Sequence, residues 1–318
     1  MTMLAFTTEL RGSRKGERHG GLQLLEINPE RGQGQAANIL DWDIHDVDWQ
    51  GTGGGRGLRG IAFDNERVYV AASDLLMVFT PSFKLIGSFR SPYLKHCHQI
   101  ACWEGRVYLT STAHDAILAF DLATSKFSWG LHIEADHAGV QGTPFDPQGV
   151  LGPPLGNALH LTSIHCDARG LFVSGARSGG LLHFDGQRIV RLVTLPTGAN
   201  DCRPWRDGVL FNDTEADTVR FLTPDQNHVF QVPKWPEDEL TGVDPQDSGS
   251  IRQGFARGLC VIDEATFAAG SSPSTITLHN IETMKTTLSI NLSTDIREAI
   301  QAIAVWPFGM EPLESAID

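Results

Sequence analysis

The chain has 318 residues, 41% hydrophobic and 20% charged, with 33 glycines and 16 prolines. That composition excludes a disordered chain or a coiled coil and points to many turns. The formal charge of −13, from 38 acidic against 25 basic residues, argues against general binding to nucleic acid or to an anionic membrane.

In chain order, the first strand-like pieces are LAFTTEL (4–10), GLQLLEI (21–27) and AANILDWD (36–43). A recurring word follows: an apolar strand, two to four turn residues, then a second strand ending in small residues. It reads RGIAFDNERVYVAA at 59–72, HQIACWEGRVYLTS at 98–111 and TSIHCDARGLFVSG at 162–175. It returns as NDCRPWRDGVLFND at 200–213 and RGLCVIDEATFAAG at 257–270, and a half copy, QAIAVWPF, begins at Gln301. Two further strands follow each full copy, for example LLMVFTP and KLIGSFR after the first. Asp64-Asn65 and Asp185-Gly186 mark hairpin turns. Four-stranded units repeating at this scale predict an all-β, six-bladed β-propeller of one domain. Ile61, Ile100, Ile164, Cys202, Leu259 and Ile303 are equivalent inner-strand positions. The last copy is the inner strand of a blade whose other three strands come from the N-terminus, so both chain ends share one blade.

The shortest blade intervals are 38 and 39 residues, and the surplus falls in three segments, 43–57, 130–157 and 233–254. Each joins the outer strand of one blade to the inner strand of the next, which places all three as lids on one face. Trp42, Trp49 and Trp235 lie in or beside them. Two residues before each inner-strand position stand Arg59, His98, Thr162, Asn200, Arg257 and Gln301. Inner-strand starts crowd the tunnel axis, so this polar ring predicts a binding site in the lidded mouth.

Three readings of the ring follow. His96 and His98 in KHCHQI, with His160 and His165 in HLTSIHCD one blade on, suit a divalent Zn, Mn or Fe ion. Asp201 completes or orients such a site. Arg59 and Arg257 suit a small anionic molecule; their structural alternative is an ion pair with Asp213 or Glu215. No GxSxG, P-loop or HExxH word occurs, and no nucleotide cofactor is expected. Five cysteines without a CxxC, an N-terminus whose basic residues follow its short apolar stretch, and no run of roughly 18–20 apolar residues predict a cytoplasmic protein with reduced thiols.

The words HQIACWEGRVYLTST, NDCRPWRDGVLFNDTEADTV and GFARGLCVIDEATFAAGSS resemble a bacterial family of hypothetical β-propeller proteins, over roughly residues 55–310. That resemblance implies the fold and carries almost no function. The six-bladed plan is more loosely similar to NHL, gluconolactonase-like and peptide-amidating-lyase propellers. The last group implies histidines from different inner strands holding a catalytic metal in the mouth. His98 with His160 or His165 matches that arrangement; Asn200, where a third-blade histidine is wanted, and a total of three tyrosines depart from it.

The expectation is an enzyme, a metal-assisted hydrolase or lyase, acting on a small anionic molecule. His98 and Asp201 are the candidate catalytic pair, and His96, His98, His160 and His165 the candidate ligands. Arg59, Thr162, Asn200, Arg257 and Gln301 hold substrate. The alternative is a non-catalytic propeller that binds a ligand, or a protein partner through the lid face. Neither nucleic acid nor membrane is an expected partner.

Overall fold

The computed structural model describes residues 2–28, 31–43, 57–136, 139–243 and 251–309. They form six antiparallel sheets in a closed ring, the architecture of a six-bladed β-propeller. The inner strands of blades 1 to 6 are Leu58–Phe63, Ile100–Trp103, Leu161–Asp167, Ala199–Trp205, Leu259–Val261 and Glu298–Val305. All six predicted inner-strand positions fall on these strands. Blade 6 runs outward from Glu298–Val305 to Thr2–Leu10, Gly20–Asn28 and Gln33–Trp42. Leu4 pairs with Val305 and Leu10 with Glu298, so the two ends of the chain lock into one sheet.

The strand sequences follow from what covers them. Middle strands lie between two neighbouring blades, so Val68–Ala72 (VYVAA) and Leu75–Phe79 (LLMVF) are buried throughout. An outer strand such as Leu85–Phe89 is mostly exposed. Six apolar clusters fill the six blade-to-blade interfaces. One of them, between blades 6 and 1, contains Trp42, which is therefore core and no part of a lid. Hairpins between strands use one device repeatedly. The side-chain oxygen of Asp64, Asp185, Asp263 or Asn280 accepts two backbone N–H bonds, from the residues two and three further on.

The predicted loop 130–157 is in good part a strand pair. Lys126–Asp136 and Gly139–Phe145 add a fifth strand to blade 2, with Ile133 opposite Gly142 and Gly130 opposite Phe145. The segment GVQGTPF lacks strand periodicity, and tertiary pairing supplies the order that its composition does not. Residues 149–156 then run along the mouth-end turn of blade 2: Gly156 donates to Ala113 O, and His114 Nδ1 faces Pro153 O at 3.1 Å. In the third expected lid, Trp235 and Gln253 exchange two hydrogen bonds, and Thr241 bridges to Asp295. Most of the first lid, 44–56 with Trp49, and residues 244–250 of the third lie outside the described residues.

Candidate functional site: the tunnel mouth

The six ring residues pair off. Arg59 on blade 1 donates from Nη1 to Gln301 Oε1 at 2.6 Å and from Nη2 to Glu9 Oε1 at 2.9 Å; Gln301 Nε2 donates to Glu9 Oε2 at 3.0 Å. Thr162 Oγ1 donates to Asn200 Oδ1 at 2.6 Å between blades 3 and 4. Asn200 Nδ2 passes the chain on to Thr214 Oγ1 at 2.9 Å, which donates to Ala256 O. The third pair crosses the full diameter: Arg257 Nη1 of blade 5 donates to His98 Nδ1 of blade 2 at 3.1 Å.

Four of the predicted substrate-binding residues are thus occupied with one another. The Arg59–Glu9–Gln301 triangle is closed, with Arg59 at 7% and Glu9 at 3% exposure. Both terminal nitrogens of that guanidinium have an acceptor. Asp213, one predicted alternative partner of the arginines, pairs with Arg220 at 3.0 Å instead. The repeated Arg-Gly word has its own cause. A side-chain carbon on Gly60 would sit 2.6 Å from Ile100 N, and Gly258, at φ +78°, donates its N–H to Asp201.

Beneath the ring a second crossing seals the axis. Asp201 Oδ1 accepts from Gln99 Nε2 at 3.0 Å, and Oδ2 accepts from Asn212 Nδ2 and Gly258 N, both at 3.0 Å. Gln99 Oε1 takes Ile164 N at 2.7 Å. One Asp on blade 4 therefore ties blades 2, 4 and 5 together, with blade 3 joined through Gln99. Burial raises the Asp201 carboxyl above its ordinary range; the Arg257 charge and the Asn212 and Gly258 bonds oppose that rise. Asp201 is a brace of the site rather than an open base.

What stays open is His98, Arg257 and His160. The His98 and His160 rings stand 5.7 Å apart, centre to centre. Their tautomers follow from their partners. A guanidinium only donates, so His98 Nδ1 carries the lone pair and its Nε2 the proton. His160 Nδ1 lies 2.9 Å from Asn157 Oδ1, and that atom also accepts from Arg177 Nη2 at 3.2 Å, which fixes it as oxygen. His160 Nδ1 therefore donates and its Nε2 keeps the lone pair. Both rings are neutral. Burial, then the charges of Arg59 and Arg257, hold His98 well below the usual histidine value. Burial, then Arg257 and Arg177, bring His160 down to about 4. Arg257 itself is lowered to about 10, chiefly by burial, and its Nε has no hydrogen-bond partner. Its guanidinium lies 5.3 Å over the ring of Phe255. His96 belongs to the same group, acting electrostatically on both histidines.

Backbone strain gathers here too. His96, Asn157, His160 and Asp201 all have φ between +53° and +78°, the left-handed region. Each costs on the order of 1–3 kcal/mol, and the surrounding fold enforces it. His165 lies elsewhere: its Nε2 is 3.8 Å from Asp167 Oδ2, and its ring stands 6.1 Å from Phe172. The predicted ligand set is thus divided, with three histidines at the mouth and one deeper.

The mouth suits a metal ion poorly. Both Nδ1 atoms are engaged, no carboxylate among the described residues is hydrogen-bonded to either ring, and the charges of Arg59 and Arg257 act on the pair. Among the described residues no group of three or more His, Cys, Asp or Glu converges with metal-ligand geometry. Cys97, between His96 and His98, is buried with its thiol pushed up to about 12, so it is no thiolate nucleophile.

Glu9, Gln99, Asn157 and Asn212 were not singled out from sequence. Gln99 stands next to His98 and Glu9 is the one acid in an otherwise uncharged strand, so both carried a signal. Asn157, in a turn-rich stretch, carried none.

No family model matches the chain, and no curated protein matches it. Solved structures do. A chain of a nidogen/laminin complex matches with a TM-score of 0.60 at 11% identity, over 96% of this chain and 98% of that one. A streptogramin B lyase structure matches with a TM-score of 0.50 at 9% identity, over 75% and 84%. At these identities the likeness shows the fold: the chain is a six-bladed β-propeller.

Proposed function

We propose that the tunnel mouth binds a small anionic molecule, a carboxylate or phosphate compound, and acts on it as an enzyme. Arg257 is the anion anchor. The observation that carries this reading is a half-buried guanidinium whose hydrogen-bonded neighbour is a neutral histidine and whose Nε is buried and unpaired. A partly desolvated cation without a bonded counter-ion is costly, and a bound carboxylate or phosphate relieves that cost.

The reaction class this arrangement favours is proton abstraction beside the anchored group, the opening step of a lyase. His160 Nε2 offers the lone pair and His98 Nε2–H the donor, so the two rings present a base and an acid of opposite sense. A bound anion offsets the Arg257 repulsion and raises the basicity of His160 toward neutral pH. Streptogramin B lyase shares the propeller fold and supports the class only to that extent. The face reading, a docked protein, has one observation in its favour: Val150, Leu151 and Leu155 are 93%, 88% and 66% exposed beside the mouth.

The test is calorimetric titration and thermal melting with a panel of small carboxylates and phosphates at low salt. A charge-assisted contact of about 1.5–3 kcal/mol means that Arg257→Met weakens binding roughly ten- to a hundredfold. The unliganded variant melts at or above the parent temperature. No stabilising anion in the panel, together with a lower melting temperature for Arg257→Met, overturns the proposal.

A further inference from the structure

Three inner strands finish on a tryptophan. Trp103, Trp205 and Trp306 each stand three residues beyond the equivalent positions Ile100, Cys202 and Ile303. Two of them fill their blade interfaces. Trp205 packs edge-on against Phe221 and Phe267. Trp306 stacks on Phe83 and makes edge contacts with Phe63 and Phe308. Trp103 makes no ring contact among the described residues, and instead lines a cavity of about 330 Å³ between blades 2 and 3. The cavity lies at the end of the propeller opposite the mouth, where the inner strands Ile100–Trp103 and Leu161–Asp167 finish.

Aromatic rings form much of its wall. Trp103, Tyr108 and Trp129 are half-buried and pack on the core of the blade 2–3 interface. Trp129 stands 6.4 Å from Tyr108, nearly perpendicular to it, and 5.9 Å from the buried Phe184. The charges on the remaining wall are balanced. Arg169 has Asp167 as its counter-ion, with Nη2 donating to Oδ2 at 2.6 Å, and its guanidinium lies 4.8 Å over the Phe172 ring. Asp185 is engaged by its own turn, accepting from Gln187 N and Arg188 N. Glu104 and Arg106, both exposed on the rim, make no ion pair and no side-chain hydrogen bond among the described residues. The same holds for the hydrogen-bonding groups of the Tyr108 hydroxyl and the Trp103 and Trp129 indoles.

We propose that this cavity is a sugar-binding site, which takes one ring of a neutral mono- or oligosaccharide against its aromatic wall. The aromatic surface calls for a ligand with an apolar face, and the free donors and acceptors call for hydroxyl groups. Arg106 and Arg169 on the wall oppose a cation; Glu104, Asp167 and Asp185 oppose an anion. A pyranose ring meets all of these conditions, with its C–H face on an aromatic ring and its hydroxyls on Glu104, Arg106 and Tyr108. The volume is that of a small-molecule pocket. The inference does not rest on the reading of the mouth.

Calorimetric titration of the full chain with glucose, galactose, mannose, N-acetylglucosamine, maltose and cellobiose tests it, with tetramethylammonium chloride and sodium acetate as charged controls. The expected result is saturable binding of at least one sugar, insensitive to added salt. Trp103→Ala should weaken that binding roughly tenfold or more, Glu104→Gln and Arg106→Gln several-fold, and Arg257→Met not at all. Glu104 and Arg106 are exposed, so their variants keep the test decisive if Trp103→Ala fails to fold. Binding of none of these sugars overturns the proposal, as does sugar binding that ignores all three cavity variants. Sugar binding lost in Arg257→Met and kept in the cavity variants assigns the sugar to the mouth and overturns it too. Binding of tetramethylammonium alone, abolished by Glu104→Gln, makes the cavity a cation site and overturns the sugar reading.

Discussion

Replacing Arg59 with methionine should destabilise the ring's closing interface rather than weaken ligand binding. Arg59 is the counter-ion of Glu9, a carboxylate 3% exposed, in contact at 2.9 Å. The substitution leaves Glu9 with the Gln301 amide alone. Removing one partner of a buried ion pair costs about 3–5 kcal/mol. Unfolding entropy near 2.1 cal/mol/K per residue gives about 0.7 kcal/mol/K for 318 residues. The melting temperature should therefore fall roughly 4–7 °C in calorimetry at neutral pH without added anions. Adding Glu9→Gln removes the stranded charge and leaves two amides able to satisfy each other. The double variant should therefore be more stable than Arg59→Met alone. A single variant melting within about 1 °C of the parent, or a strictly additive double variant, refutes the closed triangle as a structural unit.

Acid should weaken the fold through its neutral histidines. His160, His165 and His279 sit near 4 in the folded chain, chiefly through burial, against 6.5 unfolded. The unfolded chain binds more protons between those values. Their contribution is complete above pH 6.5 and is lost as pH falls toward 4. Asp201, raised by burial, works in the opposite sense and favours the folded state at low pH. Melting curves between pH 7.5 and 4.5 should show this slope, and His279→Gln should reduce it; a flat profile contradicts the assignment. Deleting everything from Gln301 onward removes most of the inner strand of blade 6 and exposes Phe6 and Leu4. Cooperative melting should be lost, and a truncated chain that still melts near the parent temperature argues against ring closure through Glu298–Val305.

The repeat made the fold legible. Each blade writes the same strand–turn–strand word, because each middle strand meets the same surroundings, a blade on either side. The split blade was readable for the same reason, as QAIAVWPF is an inner strand without its continuation. The extra hairpin of blade 2 is hidden from local pattern, since Gly139–Phe145 carries glycine and proline in place of alternating apolar residues. At the site, sequence named the ring residues and could not show how they pair. Arg59 and Arg257 share one local word, yet Glu9 meets only the first. That difference depends on a strand from the opposite end of the chain, which no local pattern reports. The same holds for Asp201, whose neighbours Gln99 and Asn212 come from different sheets or strands.

The blade that joins both termini also sets a clock on folding. Leu4 meets Val305 across about 300 residues of chain, yet closing so long a loop costs only about 1.8 kcal/mol more than closing one of about 40 residues. The burden is one of timing. During synthesis the first three strands are made long before their innermost neighbour, so Leu4, Phe6 and the carboxylate of Glu9 wait without their final partners. A growing chain can assemble its middle blades one after another from local hairpins, but the ring becomes a single cooperative body only when the last inner strand arrives.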